Sequence, residues 1–322
     1  MEIVNYILVN EKKIYKIICL ILAVCIIIGF VGCNNEKKSN GVYYTFTDDN
    51  GAKVSLEKKP ERVAALIGSF ADVWCLSGGE LVAAADDAWE DFSLETDAVN
   101  IGGAHSPSLE KLLSADPDFV IASASTASNV EMKTALSDAG IKVAYFDVDN
   151  FEDYLNMLRI CTDITGRKDL YEQNGLKISK KIEEIKTDFS SKNIPENKRT
   201  VLLLRASSGF VKAKNSKGTV LGEMLDSLGL INIADSDKKL LENLSVESII
   251  KNEPYHIFVV TMGDDSLAAK SALDKMMKEN SAWGELSAVK EDRMHIMDRK
   301  LFNLKPNNKW AVAYEKLCEI FG

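Results

Sequence analysis

A chain of 322 residues, 46% hydrophobic and 27% charged, is globular in composition and long enough for two units rather than one core. Its net charge of −9 excludes the basic footprint that nucleic-acid binding needs.

Lys12, Lys13 and Lys16 precede an unbroken apolar run from Ile17 to Ile28, closed by Gly29-Phe-Val-Gly-Cys33 and then a polar stretch. Basic residues, a short apolar core and small residues before a break are the layout of a secretory signal, and the run is shorter than the roughly 20 residues of a membrane span. The ending resembles a bacterial lipoprotein signal. That likeness implies removal of residues 1–32, lipid on Cys33 and an extracytoplasmic, membrane-anchored chain. Beyond the signal Cys75, Cys161 and Cys318 sit in apolar helical patterns and read as small core residues.

Residues 33–41 form a polar tether. Tyr43 to Leu56 alternates around Asp49-Asn-Gly51 and predicts a hairpin. From Arg62 short apolar strands alternate with helices: strand 62–66, helix 70–76, strand 81–85, helix 109–114, strand 119–122, helix 130–139 and strand 141–146. Such alternation predicts a parallel sheet covered on both faces. Tyr171, Ile178, Ile182, Ile185 and Phe189 then mark one stripe of a long helix, weakened at Gly175 and ended by Asn193-Ile-Pro195.

The second half restarts the first. Ser108-Leu-Glu-Lys-Leu-Leu113, Asp116-Pro117 and Phe119-Val-Ile-Ala122 return 137 residues later as Ser245-Val-Glu-Ser-Ile-Ile250, Glu253-Pro254 and His256-Ile-Phe-Val-Val260. The same offset lays Arg62-Val-Ala-Ala-Leu66 on Arg199-Thr-Val-Leu-Leu203. The expectation is two similar α/β lobes with mostly parallel sheets, 42–165 and 195–322, joined by one long helix within 166–194. A ligand cleft should lie between them at the carboxyl ends of the strands.

Read in order, Pro60-Glu-Arg-Val-Ala-Ala-Leu66, Ile101-Gly-Gly, Pro107-Ser-Leu-Glu110, Asp116-Pro-Asp-Phe-Val-Ile121, Ile164-Thr-Gly166 and Leu228-Gly-Leu-Ile-Asn-Ile233 resemble the iron-siderophore, haem and cobalamin class of ABC-importer binding proteins. The resemblance spans nearly the whole chain after Pro60. It implies a monomer without intrinsic cofactor or catalysis, carrying a ferric siderophore, haem or corrinoid to an ABC permease and its ATPase. It further implies that Glu110 and Glu247, one exposed acid per lobe, pair with permease arginines. In isolation, each would read as an acid favoured by a helix dipole.

Loops expected at the cleft supply the ligand candidates. Trp89, Phe210 and Phe302 offer flat apolar walls, Met262 lies beside Gly263, and Arg205 ends a strand where it could meet an anionic group. His105 stands three residues before the helix bearing Glu110, where some haem-binding relatives place an axial ligand; Met262 and Tyr145 are the residues from which a second ligand would come. The ordinary reading of such a loop histidine is a bond to backbone or water. His256 and His295 read as structural. A zinc or manganese importer would need several converging His or carboxylate ligands, which three scattered histidines do not offer. A cell-surface hydrolase would need a nucleophile elbow or metal motif that the chain lacks, and the acids at 86, 87, 90 and 91 read as solvated surface.

Overall fold

Arg62-Val-Ala-Ala-Leu66 shows how the chain builds its layers. In a strand successive side chains point to opposite faces. Val63 and Ala65 accordingly enter one hydrophobic core while Ala64 and Leu66 enter another. The second half repeats this: Val201 and Leu203 face the first core, Leu202 and Leu204 a third. Both faces of each sheet are thus covered, as a parallel sheet requires.

The computed structural model describes residues 41–263 and 266–322; the signal, Cys33 and the tether as far as residue 40 lie outside them. A hairpin of β1 (Tyr44–Thr47) and β2 (Lys53–Leu56) comes first. The first sheet has the order β5-β4-β3-β6-β7, all parallel, from β3 (Val63–Ala65), β4 (Leu81–Ala84), β5 (Val99–Asn100), β6 (Phe119–Ser123) and β7 (Lys142–Phe146). The second has the order β10-β8-β11-β12, from β8 (Thr200–Ala206), β10 (Ile231–Asn232), β11 (His256–Thr261) and β12 (Met294–Met297). β9 (Val211–Lys214) returns antiparallel on β8. This is the two-lobed α/β arrangement the sequence predicts. Among the described residues no helix is long and apolar enough to cross a membrane.

The linking helix runs through Lys168–Tyr171, a π turn at Glu172–Leu176 and Lys177–Ser191, about 36 Å at 1.5 Å per residue. Ile182, Ile185 and Phe189 are buried along it. Gly175 sits in the π turn because a Cβ there would lie 3.1 and 3.2 Å from the Leu155 and Leu158 side chains. Those leucines belong to a separate helix, Phe151–Thr165, started by a reciprocal Asn150–Asp153 capping box and stopped by left-handed Gly166. The expected helix 130–139 is instead two short ones, Ala127–Glu131 and Lys133–Asp138, meeting at Met132. Cys161 and Cys318 are buried, Cys75 half-buried, and all three are free thiols.

The repeat holds in geometry, with one amendment. Ser108 and Ser245 each cap their helix through a 3.3 Å bond from the amide three residues on. Asp116 and Glu253 each turn the chain at positive φ, 49° and 37°, before a proline. However, Phe119 lies opposite Val63, whereas its counterpart His256 lies opposite Val201. The first strand is therefore offset by one residue more than the helix that follows, and Arg62 and Arg199 are not equivalents. Arg62 bonds the Ala115 and Asp116 carbonyls, but Arg199 bonds that of Ile194.

Candidate functional site

A cleft of about 660 Å³ opens where the carboxyl ends of both sheets meet. Its lining follows the strands one after another. Asp86, Asp87, Glu90 and Asp91 come after β4, Gly103 to Ser106 after β5, Ser125 after β6 and Asp149 after β7. From the second sheet come Arg205 near the end of β8, Gly218 after β9, Met262 and Gly263 after β11, and Arg299 with Asn303 to Lys305 after β12. The volume falls within the range of small-molecule sites.

Local chemistry fixes the acidic wall. Asp87 accepts the Gly68 amide at 2.7 Å, closing the start of helix Gly68–Leu76 onto the turn after β4. Burial, with Asp86 and Asp91 adding repulsion, raises the Asp87 carboxyl to about 6. Ion pairs cross the cleft from Arg299 to Asp91 at 2.6 Å and from Lys305 to Asp149 at 3.6 Å. Arg205 is held differently. Its Nε is buried without a hydrogen-bond partner, and burial lowers its pKa although Asp149 opposes this.

Of the residues singled out from sequence, His105, Arg205 and Met262 come together in this cleft. Phe302 does not, being 3% exposed within the main core, and Trp89 packs against that core from a half-buried position. The short helix Asp87–Glu90 turns position 89 inward while carrying residues 86, 87 and 90 to the cleft. Phe210 is exposed beyond the lining, with the Lys212 ammonium 5.2 Å from its ring. Tyr145 is buried outside the lining, and its hydroxyl approaches the Asn129 carbonyl at 3.4 Å.

His256 and His295 lie far from the lining and bond each other, Nδ1 to Nε2, at 3.0 Å. Among the described residues no group of three or more His, Cys, Asp or Glu side chains could hold a metal ion. Glu110 and Glu247 stand exposed in the first turns of helices Leu109–Ser114 and Val246–Asn252, outside the cleft. Each is followed three residues on by an exposed apolar side chain, Leu113 and Ile250.

The cationic side of the cleft, Arg299 and Lys305, was not anticipated. Both follow β12, so the carboxyl-end rule would have found them had that strand been assigned.

Comparison with known proteins agrees with this geometry. A family model described as "Periplasmic binding protein" matches residues 63–301. The Fe(3+)-citrate-binding protein YfmC of Bacillus subtilis is 25% identical over 306 residues, 90% of each chain. Staphylococcus aureus SirA, solved with staphyloferrin B, superposes with a TM-score of 0.68 at 21% identity, covering 86% of this chain and 98% of that one. The periplasmic heme-binding protein RhuT of Roseiflexus sp. RS-1 gives 0.67 at 21%, covering 81% and 97%.

Proposed function

The chain belongs to the periplasmic binding protein family, and from that premise we propose that it is the extracytoplasmic binding component of an ABC importer. In this reading it captures an iron chelate (a siderophore or haem) or a corrinoid and hands it unchanged to the permease. The observation that carries the reading is the cleft itself, walled on both sides by loops from the carboxyl ends of two parallel sheets. The Fe(3+)-citrate and heme named for its relatives point to the same class of cargo. Glu110 and Glu247 are proposed as the permease contacts, one on each lobe. His105 is proposed to face the ligand and, were haem the cargo, to ligate its iron.

The cleft accounts for one ligand per monomer, stabilising the chain by about 2.7 kcal/mol at a hundred times the dissociation constant. Thermal melts with ferric siderophores, haem and corrinoids test this. A shift with one of them is expected. No shift with any, beside a clear shift with a divalent metal or a sugar, would overturn the assignment. Attachment is proposed to run through lipid on Cys33. Cys33→Ser should leave the chain unprocessed or released from the membrane, as fractionation would show; full processing with membrane retention would refute the anchor.

A further inference from the structure

Among the described residues five carboxylates and three cations line the cleft, but they are not equally available. Asp91 and Asp149 are matched across it by Arg299 and Lys305. Asp87 is committed to the Gly68 amide. Asp86 and Glu90, one helical turn apart, have no ion pair or hydrogen bond to their carboxylates among the described residues. On the opposite wall Arg205, next to last in β8, has its Nε buried and unpartnered. Among the described residues the unmatched charge is thus negative on the first lobe and a single cation, Arg205, on the second. Among the described residues the apolar lining is Ala104, Met262 and Leu304, with no Phe, Tyr or Trp ring and His105 as the one flat ring.

This distribution fits some iron chelates far better than others. A polycarboxylate chelate is strongly anionic and would face two unmatched acids with one arginine to receive it. A planar macrocycle needs broad apolar walls on both faces. A linear trihydroxamate, by contrast, supplies three monoanionic groups to Fe³⁺, so the chelate is neutral, and a terminal ammonium makes it a cation. Its metal-bound oxygens are hydrogen-bond acceptors suited to a guanidinium.

Resting on the importer reading above, we propose that the cleft selects ferric chelates without net negative charge that end in a protonated amine. The amine meets Asp86 and Glu90, and the oxygen edge of the chelate meets Arg205. Charge complementarity of this kind chiefly sets specificity.

The test is titration of the detergent-solubilised full chain with ferrioxamine B, its N-acetylated form, ferric dicitrate, haem and cobalamin. Ferrioxamine B should bind roughly ten-fold tighter than its acetylated form and tighter still than ferric dicitrate. The Asp86→Asn/Glu90→Gln double variant should abolish that preference, and Arg205→Met should weaken both hydroxamates alike. Raising the salt concentration on the unmodified chain should narrow the preference, a measurement that needs no variant. Tightest binding of ferric dicitrate, haem or cobalamin, or a preference that survives in the double variant, would overturn the proposal while leaving the importer reading intact. Binding of none of these chelates would overturn the proposal, and the importer reading would fall with it only if a divalent metal or a sugar bound instead.

Discussion

Arg299 and Asp91, 208 positions apart, meet across the cleft with Nη1 and Oδ1 2.6 Å from each other. Their side chains are only 22% and 11% exposed. Neighbouring contacts reinforce them: Lys300 Nζ donates to the Glu90 and Asp91 carbonyls, and Asn307 Nδ2 to the Ser69 carbonyl and the Asp72 carboxylate. The segment after β12 therefore staples the second lobe to the first. Asp91→Asn removes this pair from a mostly buried position and should cost about 1–3 kcal/mol, less than a fully buried pair because some water remains. Denaturant unfolding would read this. The exposed pair of Lys58 and Glu61 supplies the contrast, since breaking it should not shift the midpoint beyond error.

Gly68 lies where helix Gly68–Leu76 presses on the turn that carries Asp86 and Asp87. A Cβ there would stand 2.5 Å from the Ala88 nitrogen and the Asp87 carbonyl carbon. Both are backbone atoms, so no side-chain rotation relieves the overlap. Gly68→Ala should destabilise by about 1–3 kcal/mol and weaken ligand binding together, because the yielding element is the cleft wall. Lost stability with unchanged affinity would show that the wall does not move.

The alternation from Arg62 onward made the parallel sheets legible, and the 137-residue echo made the lobes legible, because both depend on local hydrophobic period. The cleft was legible only as a set of loops. Which side chains enter it depends on how each loop turns, as Trp89 and Phe302 show by packing inward. Pairs such as Arg299 and Asp91 leave no local trace, since neither residue's neighbourhood encodes the other. The one-residue slip of β8 against β3 is equally silent: it is set by pairing with β11, not by the likeness of Arg62 and Arg199.

The His256–His295 bond has a pH signature. One ring must donate to the other at 3.0 Å, and His256 packs against Phe321 and Phe258. Burial, with His295 and Arg293 adding repulsion, lowers His256 to about 4; His295 is lowered too, by burial, against the pull of Asp292. A histidine whose folded pKa is depressed contributes stability that is full above its unfolded value near 6.5 and is lost as pH falls toward 4. Between about pH 7 and about pH 4.5 the loss should be roughly 2–3 kcal/mol. Asp87 works the other way: raised to about 6, it stabilises at low pH and loses that contribution as pH rises through 6. Comparison with His256→Gln isolates the histidine, and unfolding at both pH values should show a flatter profile in the variant.

The proposed docking role of Glu110 and Glu247 can be tested by charge reversal. Both occupy the first turn of a serine-capped helix, one in each half of the repeat, and both are exposed away from the cleft. Acids placed twice in this way suit a rigid two-point grip on a partner bearing two cationic sites. Replacing both with Lys sets like charges together, which costs several kcal/mol at an interface. Transport should collapse in the double variant, while ligand affinity and melting temperature in solution stay where they were. Each single variant should lose less, since the other contact persists. Uptake by cells, ligand titration and melting of the purified chain separate the outcomes. A folded double variant that transports normally, or one that fails only because it no longer binds ligand, would take the docking role away from these two residues.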